Sequence, residues 1–85
     1  MTIISIYTRP MCPYCTRAKQ LLDDKQVEYQ ELDAFMDANN RKDMLARSNG
    51  GRTYPQIFIG DTHVGGCDDL MALENTGELD KLLGR

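Results

Sequence analysis

Cys12 and Cys15, in the segment Cys12-Pro13-Tyr14-Cys15, are the two side chains of this sequence best placed to do chemistry. A dithiol at this spacing can open and close a disulfide, or it can supply half of a metal site. Arg9, Arg17 and Lys19 are the only charges before Asp23, so the pair lies in a positive stretch that favours an ionised sulfur. A Cys12–Cys15 bridge closes too short a ring to restrain much of the unfolded chain, which suits reversible exchange better than a structural staple. The competing metal set is Cys12, Cys15, His63 and Cys67, whose spacings C-x2-C and H-x3-C zinc would accept. Pro13 stiffens the loop that would wrap the ion, and the apolar periodicity suffices for folding without metal; both weigh against that set. Taken alone, His63 reads as a solvent-facing residue on a hairpin strand.

The elements around the cysteines give them different roles. Ile3, Ile4, Ile6 and Tyr7 form a continuous β-branched and aromatic run, the pattern of a buried strand. From Pro13 to about Lys25, Cys15, Ala18, Leu21 and Leu22 share one helical face. Proline suits the first turn, and the unpaired amides behind it face Cys12, at the positive end of the helix dipole. Cys12 is therefore expected to attack, and Cys15, the more buried and less acidic thiol, to resolve. Val27 to Leu32 predicts a second strand and Ala34 to Ser48 a weaker helix stopped by Asn49-Gly50-Gly51. Gln56–Ile59 and Thr62–Val64 flank Gly60-Asp61 as a hairpin, and Cys67 opens a helix that Gly77 closes. Leu79, Leu82 and Leu83 add a short terminal helical edge. The order βαβαββα predicts an α/β fold: one domain over residues 1–85, with a four-stranded mixed sheet flanked by helices and its first two strands parallel neighbours.

Composition narrows the class. Eighty-five residues, 41% of them hydrophobic, suffice for one small core, and three cysteines are too few for a disulfide scaffold. A formal charge of −3 opposes a broad grip on nucleic acid or anionic membrane. The chain has no basic run ahead of a long apolar stretch and no apolar window near the ~20 residues of a membrane span, so a soluble, cytoplasmic monomer is expected. In a reducing compartment an odd cysteine count with a close pair suits catalysis or metal binding better than a structural bridge.

Cys12-Pro13-Tyr14-Cys15, Thr53-Tyr54-Pro55 and Gly65-Gly66-Cys67-Asp68-Asp69, in that order, resemble the three signatures of the dithiol glutaredoxins, and the resemblance covers essentially the whole chain. It implies a thioredoxin-like fold and reduction of disulfides and glutathione mixed disulfides. Glutathione would be co-substrate with no metal, and disulfide-containing or glutathionylated proteins would be the partners. It implies a cis Pro55 facing the cysteines, with Thr53 and the Tyr54 backbone along the glutathione site. Tyr14 would line the groove. Gly66 and the amides of Cys67 and Asp68 would hold the γ-glutamyl carboxylate, and Asp68 or Asp69 its ammonium, with helix capping the alternative for either acid. Arg9, where the family commonly has lysine, and Arg52 would meet the glycine carboxylate. Tyr54, where the family more often has valine, would put a bulky ring at the groove's rim, and Cys67 would contribute packing rather than chemistry. One rival is a redoxin of the same fold recharged by a flavoprotein reductase, opposed by the Gly65–Asp68 segment and the absence of Trp. Another is an iron-sulfur or zinc carrier.

Overall fold

Strand β1 (Ile4–Thr8) is buried along its whole length because it runs through the middle of the sheet. The computed structural model describes residues 3–84. In it β1 pairs in parallel with β2 (Gln30–Asp33) and antiparallel with β3 (Gln56–Ile59), which carries β4 (Thr62–Gly65) on its far side. The order is β2-β1-β3-β4, a mixed sheet with its two most apolar strands central. Helices α1 (Pro13–Asp24), α3 (Cys67–Thr76) and α4 (Glu78–Leu82) cover one face, and α2 (Ala38–Arg47) covers the other. Alternation along the strands feeds both layers. Ile4, Ile6, Ile57 and Ile59 pack with Ala18, Leu22, Leu70 and Leu79, whereas Tyr7 and Phe58 point the other way, to Ala34 and Met44.

Three boundaries differ from the sequence expectation, each for a local reason. Ile3 precedes β1 and is exposed, although its carbonyl still accepts the Gly60 N–H at 2.7 Å. Val27 and Tyr29 pack onto the α1-side core from a loop, and β2 begins only where Gln30 comes opposite Ser5. Helix α2 starts at Ala38 rather than Ala34 because two carboxylates claim the amides before it. Asp33 Oδ1 accepts the Phe35 and Met36 N–H groups, and Asp37 Oδ1 caps the helix through Asn40 N–H. The hairpin forms as its sequence requires, with Gly60 at φ +58°. A bulge gives β4 one residue more than β3, since Phe58 faces His63 but Ile57 faces Gly65. Helices α3 and α4 are separated at Gly77, in the left-handed region at φ +81°. Among the described residues no helix is long and apolar enough to cross a membrane.

Candidate active site

Strand direction brings the three motifs together. The C-terminal ends of β1, β2 and β4 and the N-terminal end of β3 all lie at one end of the sheet, since Tyr7 pairs with Gln56 and Ile57 with Gly65. Cys12 follows β1, Thr53-Tyr54-Pro55 precedes β3, and Gly66 to Asp69 follow β4, so all three emerge at that end.

Cys12 is the N-cap of α1, extended at φ −113° and ψ 102°, with Pro13 at the first helical position. Its Sγ accepts the Cys15 N–H at 3.2 Å, a bond that pairs one of the orphan amides of the helix start. Both sulfurs belong to buried residues, 5% exposed at Cys12 and 3% at Cys15. The expected contrast in burial is therefore slight, and hydrogen bonding distinguishes the two instead. Burial pushes the Cys15 thiol up to about 12, its hydrogen bond with the Cys12 sulfur adds to the rise, and Arg9 opposes it.

Beside the cysteines lies a groove of about 240 Å³ lined by Tyr14, Thr53, Tyr54, Gly66, Cys67, Asp68 and Asp69. The Tyr54–Pro55 bond is cis, and Pro55 is buried with its carbonyl against Gly66, 3.5 Å from where a Cβ would stand. Gly65 adopts φ +112°, and a Cβ there would fall 2.3 Å from Asp69 Oδ2. That oxygen accepts the Gly66 N–H at 3.0 Å, so Asp69 caps α3, whereas Asp68 is exposed on the groove. Cys67 begins α3 with a thiol pushed up by burial and partly offset by the charge of Arg17. Arg9 and Arg52 are exposed and lie outside the groove lining.

The Tyr54 ring lines the groove but also packs on the Tyr7–Ala34–Met44–Phe58 layer, with its hydroxyl donating to the Ala34 carbonyl at 3.2 Å; it is a strut from the wall into the core. The set Cys12, Cys15, His63 and Cys67 is divided by the sheet. Cys67 packs in the α1-side core, while His63 stacks on Phe58 of the α2-side layer at 4.7 Å and pairs with Gln56. Among the described residues no three His, Cys, Asp or Glu side chains converge as a metal ion would need. Gln56 was missed, although an amide inside the otherwise apolar run Gln56-Ile57-Phe58-Ile59 is a visible signal, because a buried polar side chain needs partners. A larger hollow, about 430 Å³, opens at the other end of the sheet between Ile3, Val27, Tyr29 and Leu83, and no thiol lines it.

Comparison with known proteins gives a consistent result. Residues 4–64 match the family profile described as Glutaredoxin. Glutaredoxin 3 of Escherichia coli is 53% identical over 98% of this chain and 99% of its own. The solution structure of glutaredoxin from Brucella melitensis superposes with a TM-score of 0.82 at 57% identity, over 98% of this chain and 89% of that one. The crystal structure of a buckwheat glutaredoxin–glutathione complex superposes at 0.84 with 31% identity, over 95% and 76%.

Proposed function

The chain belongs to the glutaredoxin family of thiol-disulfide oxidoreductases, and from that premise we propose that it uses glutathione to reduce glutathione mixed disulfides and protein disulfides through Cys12 and Cys15. The observation that carries this reading is the Cys12 sulfur at the α1 N-cap, bonded to the Cys15 amide and beside a groove lined by Tyr14, Thr53, Tyr54 and the start of α3. The glutathione complex of the buckwheat relative supports the choice of tripeptide.

In the first half-reaction the Cys12 thiolate attacks the glutathione sulfur of a mixed disulfide. The new S–S bond joins Cys12 to glutathione, the old one breaks, and the substrate sulfur leaves as a thiolate that takes a proton. A second glutathione thiolate attacks the glutathione sulfur held on Cys12, which releases Cys12 and glutathione disulfide. With a protein disulfide, Cys12 forms the mixed disulfide and Cys15 then attacks the Cys12 sulfur. The Cys15 proton passes to the departing protein thiolate, and two glutathiones reduce the resulting bridge. Each time Cys12 leaves, negative charge develops on a sulfur that an amide at a helix N-terminus already contacts, the preorganised stabilisation such a step needs.

In this reading the backbone of Tyr54 runs alongside the glutathione chain. The amides of Cys67 and Asp68 hold its γ-glutamyl carboxylate at the start of α3, and Asp68 meets the ammonium. Arg9 and Arg52 act from the rim on the glycine carboxylate. An odd cysteine count with one close pair fits a reducing compartment, so we place the reaction in the cytoplasm, carried out by a monomer.

The test is glutathione-coupled turnover of a small mixed disulfide and of a protein disulfide. Cys12→Ser should lose both activities by at least ~1,000-fold, because no other sulfur occupies the cap. Cys15→Ser should keep the first within a few-fold and lose the second. Deglutathionylation by the Cys12→Ser protein would refute the assignment of Cys12, and recycling only by a flavoprotein reductase would refute the assignment of glutathione.

A further inference from the structure

The groove wall formed by Thr53 and Tyr54 belongs to no strand or helix; it is the end of the segment between α2 and β3. Side chains hold that segment. At its start Ser48 Oγ accepts the Gly51 N–H at 2.8 Å and donates to the Gly51 carbonyl at 3.3 Å. At its end the buried Gln56 turns back, and its Nε2 donates to the Thr53 carbonyl at 2.9 Å and to Thr53 Oγ1 at 3.0 Å. A carbonyl can only accept, so the Gln56 amide has one possible orientation, with Oε1 facing His63. His63 Nε2 lies 2.7 Å from that oxygen, and since Oε1 is itself only an acceptor, Nε2 must carry the proton. The imidazole is held in place by its stack on Phe58, 4.7 Å between centroids and 20° between planes, while the Arg47 guanidinium lies 4.2 Å from the centre of the same Phe58 ring.

We propose that His63 is a positioning residue for the groove: through Gln56 it fixes Thr53 and so the wall against which glutathione lies. The relay is His63 Nε2–H to Gln56 Oε1, then Gln56 Nε2–H₂ to both acceptors of Thr53. No atom of His63 touches the substrate or the sulfurs in this scheme. The proposal rests on the glutathione reading given above, and it deepens that reading by assigning the specificity of the wall to a residue on β4.

The decisive comparison is between His63→Phe, which keeps an aromatic face on Phe58 and removes the donor, and His63→Gln, which removes the ring and returns an amide donor at about the reach of Nε2. His63→Phe should raise KM for a small glutathione mixed disulfide about fivefold, the size of one lost neutral hydrogen bond, with kcat within twofold of wild type. His63→Gln should restore KM. Gln56→Leu should raise KM at least as much as His63→Phe, and adding His63→Phe to it should change nothing further. An unchanged KM in His63→Phe, or equal impairment in both His63 variants, would overturn the relay. A direct readout needs no glutathione: the Gln56 side-chain amide protons should exchange slowly with solvent in wild type and His63→Gln and faster in His63→Phe, and equal rates in all three would also overturn it. If wild type failed to turn over the glutathione mixed disulfide, the substrate assignment would fall separately, and the exchange rates would still decide whether His63 holds Gln56.

Discussion

At the scale of single residues, Cys15 makes the most direct statement about pH. An acid whose pKa is raised by folding keeps its proton better in the native state, so its contribution to stability is complete below the unfolded value, 9.0, and is lost as pH climbs toward about 12. The shifts at Cys67 and Tyr7 have the same sign, burial being the first cause in each. The reduced protein should therefore lose stability steadily above about pH 9, and Cys15→Ser should flatten that decline. Urea midpoints of reduced wild type and variant across the alkaline range decide it; parallel curves would mean that the Cys15 proton is not held by the fold. Much of the residue-level site was legible, because Cys12, Cys15, Gly65 and Asp69 sit in short local patterns whose backbone needs are known. The bond from Gln56 to His63 was not, since it joins residues on paired strands and depends on which way an amide faces.

At the scale of elements, the junction of β4 with α3 carries the strictest requirement. Gly65 is in a backbone region that side chains rarely adopt, and the Asp69 carboxylate that caps α3 fills the space beside it. Gly65→Ala should cost more than about 1 kcal/mol and displace the cap. Thermal unfolding should show the loss, and KM for a glutathione mixed disulfide should rise because the carboxylate site proposed at the Cys67 and Asp68 amides would be displaced. A variant with wild-type melting and wild-type KM would show that the turn tolerates a side chain. Helix and strand types followed from periodicity, whereas several of their ends did not. Asp33 and Asp37 divide the expected second helix into a turn and a shorter helix, a choice made by side-chain oxygens that an apolar count ignores. The bulge at Ile57/Phe58 is equally invisible in composition, because the extra residue of β4 matters only against its partner strand.

At the scale of the whole molecule, the sheet separates two apolar layers of unequal size, the larger under α1, α3 and α4 and the smaller under α2. Leu22 is fully buried in the larger one, and Leu22→Ala should cost about 2–5 kcal/mol, lowering the melting midpoint by about 4–8 °C per kcal/mol for a domain of this size. Turnover measured well below the new midpoint should be unchanged, since Leu22 does not line the groove. A smaller loss would mean that the surrounding helices collapse into the space. The mixed sheet and the covering of both its faces were readable from the alternation of strand and helix. The assignment of each motif to one layer was not, because it depends on the strand order β2-β1-β3-β4. That assignment has a mechanical consequence. One jaw of the cleft is anchored through Cys67 in the larger half, and the opposite jaw hangs from the smaller half through Tyr54 and Gln56. A molecule seated between the jaws would therefore bear on both layers of the fold at once.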